Sequence, residues 1–274
     1  MKRNILIVAA LAGLLTACQT TTPQQKVTYP TASMPGMSEP VDIAGELFKP
    51  DGDGPFPAVI VLHGSGGISE HYRGWARKLV SWGYVALMTD SFGPRGYGSI
   101  MTSTPSVMPQ KRVSDVIGAA EWLSKQPYVA KGRIGTIGFS HGGWTTMKLV
   151  QADMHAKEYG IKASVAYYPL CDVRTEGRVD IPVLILIGEK DDWTPAFRCQ
   201  ELVASPNLRR KDLVDLVVYP NVYHSFDEYI PKPVTVMGTS VGGKTEPKHL
   251  EMNPAAAADA EKRTKAFFDR LLKN

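Results

Sequence analysis

Gly138-Phe139-Ser140-His141-Gly142 joins an apolar, β-like run, Arg133 to Phe139, to a helix-like run from Gly143 to about Asp153. A G-x-S-x-G at a strand-to-helix junction is the nucleophile-elbow pattern, in which a sharp turn lifts a serine hydroxyl clear of the sheet. The backbone at such a turn is strained, and its neighbours two residues away must be small enough to avoid a clash. Gly138 and Gly142 meet that need. The pattern is short, so its weight depends on the elements around it.

Those elements alternate. Pro57 to Leu62 is a continuous apolar, β-branched run, as expected of a strand buried on both faces of a parallel sheet. Glu70 to Trp82 carries apolar groups at Tyr72, Trp75, Leu79 and Val80, a helical period ended by Gly83. Tyr84 to Thr89 reads as another buried strand, and Val113, Ile117, Ala120 and Leu123 mark a helix face closed by Pro127. After the elbow strand and its helix come Ala163 to Tyr168, Val183 to Ile187 and Leu213 to Tyr219 as further strands. A last helix opens on Asn253 as cap and Pro254 at its first position, with Ala260, Phe267, Phe268 and Leu271 on its buried face. Strands and helices in this alternation predict an α/β fold, a mostly parallel sheet covered on both faces.

A serine is a poor nucleophile at neutral pH and needs a base, which needs an acid to fix its tautomer and stabilise its charge. Behind a nucleophile elbow the chain order is Ser, then Asp or Glu, then His. His155 lies at the end of the elbow helix, which carries it away from Ser140. His224 follows the strand ending at Tyr219, in a loop at the sheet edge where ligands and catalytic groups of open α/β sheets gather. His249 lies in a polar segment with no preceding strand, so His224 is the expected base. The acid has a similar address, the loop Gly188-Glu189-Lys190-Asp191-Asp192-Trp193-Thr194-Pro195. Glycine three before and proline four after Asp191 resemble the G-x-x-D-x-x-x-P turn common in hydrolases with this elbow, which implies Asp191 as the acid, with Asp192 as the alternative or as a cap of the helix after Pro195.

The oxyanion formed on attack needs preorganised donors, usually two backbone N–H groups. One is expected from His141, directly after the nucleophile. The other is expected from Ser65 in His63-Gly64-Ser65-Gly66-Gly67, where glycines permit close approach. His63 reads as a structural hydrogen-bonding residue, and the His141 side chain as part of the cleft rim. No cluster of His, Cys and acids has metal-ligand spacing, and the G-x-G repeats between Gly93 and Gly98 lack the strand-to-helix placement of a dinucleotide site. Neither metal nor cofactor is expected.

The chain ends and composition bound the rest. Lys2 and Arg3 precede an apolar run from Ile5 to Leu15, shaped like a signal peptide and short for a permanent span. Leu15-Thr16-Ala17-Cys18 resembles a bacterial lipobox, which implies lipidation of Cys18 after removal of residues 1–17. Gln19 follows, and the absence of aspartate there argues against retention at the inner membrane. From Thr20 to about Pro40 the chain is rich in Thr, Pro, Gln and Ser, so 18–40 is expected as a flexible tether and 41–274 as one domain. An outer-membrane lipoprotein facing the periplasm, with the membrane as partner only through its lipid, is the expected setting. Of the formal net charge of +4, Lys2 and Arg3 supply two, and the other basic residues are scattered, which speaks against nucleic acid. With Cys18 lipidated, Cys171 and Cys199 remain as an even pair in an oxidising compartment. A disulfide between them is expected, the alternative being two buried thiols.

Over about Val41 to Leu272 the chain resembles the dienelactone hydrolase family of α/β-hydrolases. The carrying residues are His63 to Gly67, the run Asp90-Ser91-Phe92-Gly93-Pro94-Arg95-Gly96, Gly138 to Gly143, Gly188 with Asp191 and Pro195, and His224-Ser225-Phe226. The resemblance implies the α/β-hydrolase fold and hydrolysis of a small ester or lactone. Founding members of that family carry cysteine where this chain has Ser140, and a glutamate near Gly64 or Ser65 that handles the thiol proton. Losing both together implies a serine esterase mechanism. The competing expectation, from a different class, is an envelope lipoprotein that keeps the fold as a non-catalytic binding module.

Overall fold

The computed structural model describes residues 25–34, 40–102, 107–172, 177–240 and 242–274. Cys18, the apolar run before it and residues 18–24 of the expected tether lie outside the described residues. Strands β1 (Gln25–Pro30) and β2 (Asp42–Phe48) pair antiparallel and form one edge of the main sheet. The next six strands are β3 (Phe56–Leu62), β4 (Val85–Asp90), β5 (Val129–Phe139), β6 (Ile161–Tyr167), β7 (Val183–Gly188) and β8 (Val214–Tyr219). They run parallel to one another, in the spatial order β1-β2-β4-β3-β5-β6-β7-β8. The central strands are apolar almost throughout because both faces are covered; Ile60, Ile137, Val165 and Ile185 are fully buried.

Sheet order decides which face each helix covers. The chain steps one way from β3 to β4 and the other way from β4 through β5 to β8. Right-handed crossovers therefore put α1 (Glu70–Ser81) on one face, and α2 (Pro109–Ser124), α3 (His141–Leu149) and α4 (Ala196–Ala204) on the other. Helix α5 (Pro254–Leu272) joins α1: Lys78 pairs with Glu261, and Lys273 Nζ donates to Trp82 O at 2.7 Å. Asn253 Oδ1 accepts from Ala256 N at 3.0 Å, the cap that its place before Pro254 predicts. The reversal of order around β3 opens a crevice at the carboxyl ends of β3, β5, β7 and β8, where the residues of interest gather.

Four expectations change. Residues 25–32, placed in the tether by composition, are structured: Val27 and Tyr29 alternate inward at the sheet edge, and Ala32 N donates to Ser114 O at 2.9 Å on α2. Two inward side chains with period two are enough for a strand, and a window average over Thr, Pro and Gln hides them. The elbow helix begins at His141 instead of Gly143 and ends at Leu149, followed by short 3-10 turns. Helix α5 buries Leu272, with Leu271 only half-buried. The polar stretch before His249 is not a plain loop: β9 (Val234–Thr239) and β10 (Thr245–Leu250) form a separate antiparallel hairpin.

Candidate active site

Ser140 sits at φ 53°, ψ −113°, a positive φ that an L-residue adopts only under constraint. The constraint is packing. A Cβ on Gly138 would lie 2.2 Å from Gly142 O, and one on Gly142 would lie 2.2 Å from Leu62 O at the end of β3. Ser140 N donates to Tyr167 O at 3.0 Å, tying the turn to β6. The elbow thus needs both glycines, and it aims Ser140 Oγ into the crevice.

His224 lies in the loop after β8 and is 1% exposed. Its Nε2 stands 2.9 Å from Ser140 Oγ, and its Nδ1 stands 2.7 Å from Asp191 Oδ2. A carboxylate accepts only, so Nδ1 carries the proton and donates to Asp191, which leaves Nε2 to accept from the serine hydroxyl. Asp191 is itself held in place: Oδ1 accepts from the amides of Trp193 at 2.9 Å and Thr194 at 2.8 Å, and Oδ2 lies 3.0 Å from Thr194 Oγ1. The three residues come from loops after β5, β7 and β8, 84 and 33 residues apart in sequence, and meet in one hydrogen-bonded row.

The two residues expected to supply oxyanion donors, His141 and Ser65, line the same cleft as Ser140. His141 N is the first amide of α3 and has no intrahelical acceptor by construction. Ser65 lines the same cleft as Ser140 and His141, and its carbonyl is fixed by Ile100 N at 2.9 Å and Ser99 Oγ at 3.2 Å. Gly64 N is taken by Tyr72 Oη at 2.9 Å and Gly67 N by Gly64 O at 3.3 Å, which leaves the amides of Ser65 and Gly66 as the donors of that loop without a backbone or side-chain acceptor among the described residues. His63 is structural: Nδ1–H donates to Gly64 O at 2.7 Å, and Nε2 accepts from Ser91 N at 3.3 Å.

Three groups near the site are absent from the residues that the motifs single out. Arg112 on α2 is fully buried, and burial pushes its pKa down to about 10. It donates through Nη2 to His63 O at 2.8 Å and through Nη1 to His141 Nδ1 at 2.9 Å, bracing the Ser65 loop against α3. His71 and Asp227 form a second buried pair at 3.3 Å. Asp227 also accepts from Trp75 Nε1 at 2.9 Å and Tyr168 Oη at 2.8 Å, and the Tyr168 ring lies 4.6 Å from that of His224. Burial alone would raise Asp227, but the His71 charge and the three donors hold it below the usual carboxylate range. Burial, the largest single influence on His71, works to lower it, and the Asp227 charge, the hydrogen bond to Asp227 and the Glu228 charge together outweigh it and raise the imidazole. Asp227 falls three residues after His224, which is a usable signal, whereas His71 and Arg112 meet their partners only through the fold.

Asp192 does not cap α4. That helix starts from Pro195 with no side-chain cap. Instead the Asp192 carboxylate accepts from His249 N at 3.1 Å and its carbonyl from Lys248 Nζ at 2.8 Å, which fastens β10 to the acid loop. His249 lies against Tyr223, with ring centroids 4.0 Å apart, and pairs with Glu251 at 2.8 Å, apart from Ser140. Cys171, just past β6, and Cys199 on α4 are joined as a disulfide, with Cα atoms 5.0 Å apart. Among the described residues no group of His, Cys, Asp and Glu is placed to hold a metal ion.

Ser140 opens onto two clefts. One is walled by His141, Trp144, Leu170, Trp193 and Ile100. The other is walled by the Gly64 to Gly67 loop, Tyr72, His224 and Glu228. His224 belongs to the second alone.

Sheet order and elbow define an α/β-hydrolase. The model of the dienelactone hydrolase family matches residues 43–272, and the chain belongs to that family, hydrolases of the ester and lactone type. A Bradyrhizobium protein named as a probable 2-oxo-3-(5-oxofuran-2-ylidene)propanoate lactonase is 26% identical over 201 residues, 67% of this chain and 78% of that one. Two solved structures share the fold. A dienelactone hydrolase-like promiscuous phosphotriesterase from metagenomic libraries superposes with a TM-score of 0.66 at 20% identity, covering 90% of this chain and 98% of that one. An esterase from Pyrococcus furiosus gives 0.63 at 19%, covering 91% and 93%.

Proposed function

We propose that the protein cleaves a small ester or lactone through an acyl-enzyme on Ser140, with His224 as base and acid and Asp191 as its orienter. The observation that carries this is the row Asp191–His224–Ser140 at 2.7 and 2.9 Å, at the mouth of two clefts. Ser140 Oγ attacks the carbonyl carbon and its proton passes to His224 Nε2, while the buried Asp191 carboxylate stabilises the imidazolium. The carbonyl oxygen becomes an oxyanion facing the amides of His141 and Ser65. Collapse breaks the acyl–oxygen bond, the leaving alkoxide takes the proton from His224, and water repeats the sequence to free the acid and Ser140. The leaving oxygen must come within reach of His224 Nε2, so the alcohol part belongs to the cleft that His224 lines, and the acyl part to the other. A lactone spans both, its ring oxygen on the His224 side.

The setting we propose is the cell envelope, the chain held by lipid on Cys18 and the active site facing the periplasm. A fluorophosphonate probe tests the chemistry: one equivalent is expected on Ser140 in the parent chain and none in Ser140→Ala. Equal labelling of both, or release of p-nitrophenol from p-nitrophenyl acetate by Ser140→Ala at the parent rate, would sink the proposal.

A further inference from the structure

The cleft assigned to the acyl part is mostly apolar, yet two of its wall residues carry N–H groups with no partner. Trp144 Nε1 is buried and unpaired, and so is His141 Nε2. Both rings line this cleft. They sit three residues apart on α3, so they are neighbours on one helix face, with ring centroids 5.7 Å apart. Buried donors without acceptors are rare in folded proteins, because each forgoes its hydrogen bond to water and gains none in return.

Which atom of His141 bears the proton follows from its other neighbour. Arg112 Nη1 approaches His141 Nδ1 at 2.9 Å, and a guanidinium can only donate. Nδ1 must therefore accept, and the proton resides on Nε2. Burial first, and then the Arg112 charge, push the His141 pKa well below the ordinary imidazole value, so the ring is neutral with a single N–H. The cation behind the ring also polarises it, which makes Nε2–H a better donor. His141 is 8% exposed, and its side chain has no other hydrogen-bonding partner to satisfy that proton.

We infer that the Nε2–H of His141 and the Nε1–H of Trp144 form a subsite for a hydrogen-bond acceptor oxygen carried on the acyl part of the substrate. The subsite selects acyl groups with a second oxygen beyond the scissile carbonyl over plain hydrocarbon chains of the same size. Discrimination runs in that direction because a site built of buried donors loses their pairing when an isosteric hydrocarbon fills it. The inference rests on the serine-hydrolase reading for which end of the substrate enters this cleft.

Two measurements test it, one of them independent of turnover. In the first, p-nitrophenyl esters whose acyl chain bears a ketone at carbon 4 or carbon 5 are each compared with the isostere carrying a methyl branch there, with rates corrected for hydroxide-catalysed hydrolysis. At least one keto ester is expected to be preferred in kcat/KM by roughly fivefold or more, the scale of a neutral hydrogen bond. That ratio should fall to near one in Trp144→Phe, which keeps a ring and loses the donor; a ratio within one variant cancels general damage. In the second, Ser140→Ala is labelled with ¹⁵N at the tryptophan indoles, and the Trp144 resonance is assigned by its loss on adding Trp144→Phe. Titration with methyl 4-oxopentanoate and methyl 5-oxohexanoate should shift the Trp144 N–H downfield, and the methyl-branched isosteres should not. An indole resonance indifferent to both ketones overturns the subsite, as does a parent ratio that Trp144→Phe leaves where it was. Absence of hydrolysis of every ester by the parent chain would count against the serine-hydrolase reading instead, and the indole shift would still decide the subsite.

Discussion

Asp191 and Asp192 are adjacent and identical in type, and the structure gives them unlike neighbours. Asp191 meets His224 Nδ1, so Asp191→Asn keeps the shape but presents an amide that favours the wrong imidazole tautomer. With p-nitrophenyl acetate a fall in kcat on the order of 10⁴ is expected, the size of the analogous change in serine proteases. Asp192→Asn alters only how the acid loop grips β10, so a loss within tenfold and a lowered melting temperature are expected. A large loss for Asp192→Asn with near-parent Asp191→Asn would reverse the roles. Ser140→Ala and His224→Ala should each fall by about 10⁶, because the members act as a unit, while His249→Ala stays close to the parent. Asp227 acts from behind His224, and its effect should depend on pH. Its depressed pKa contributes stability above the unfolded value near 3.9 that is lost as pH falls through the folded value; His71, raised, contributes below about 6.5 and loses this as pH climbs through its folded value. The melting-temperature gap between the parent and Asp227→Asn should therefore be widest between about pH 4 and 6.5 and narrow above. A gap that widens steadily toward pH 9 would refute the charged pair.

At the scale of elements, loops carry the chemistry and the sheet fixes where they meet. The Cys171–Cys199 link ties the end of β6 to α4, next to Leu170 in the wall of the acyl cleft. It closes a loop of 28 residues, which in the chain-entropy account is worth about 3 to 4 kcal/mol. The double variant Cys171→Ser/Cys199→Ser should melt several degrees lower under non-reducing conditions, and the parent should lose the same margin on adding a reductant. Two titratable thiols in the exported, non-reduced parent would rule the link out. The strands and helices themselves were largely readable, because runs such as Pro57 to Leu62 and the Gly138 to Gly142 turn are local signals of burial and strain. The order Ser140, Asp191, His224 followed from loops after strands in the same way. What escaped was either averaged away or non-local. Residues 25–30 carry only two inward side chains amid polar neighbours, the β9–β10 hairpin has one buried residue per strand, and the Arg112–His141 and His71–Asp227 contacts join a helix to another helix and to a loop across the fold.

At the scale of the whole molecule, the strand at Gln25 changes what lipid on Cys18 would do. Seven Cα steps separate Cys18 from Gln25, so the first residue of the sheet stays within about 25 Å of the lipidated position whatever path the chain takes between them. A tether running to residue 40 would have allowed the domain to range more than twice as far. Among the described residues no helix is long and apolar enough to cross a bilayer. In the proposed setting the hold on the membrane is the lipid on Cys18, and two acyl chains on one cysteine suffice where a single one gives marginal binding. Expressed with its own N-terminus in a Gram-negative host, the parent should partition into the detergent phase of a Triton X-114 separation and release a diacylglyceryl-modified Cys18 peptide. Cys18→Ser should move to the aqueous phase with its esterase kcat unaltered, because the site lies wholly within the domain. Recovery of the parent in the aqueous phase with an unmodified Cys18, or of Cys18→Ser still in the detergent phase, would remove the anchor from the proposed setting and leave the hydrolase reading untouched.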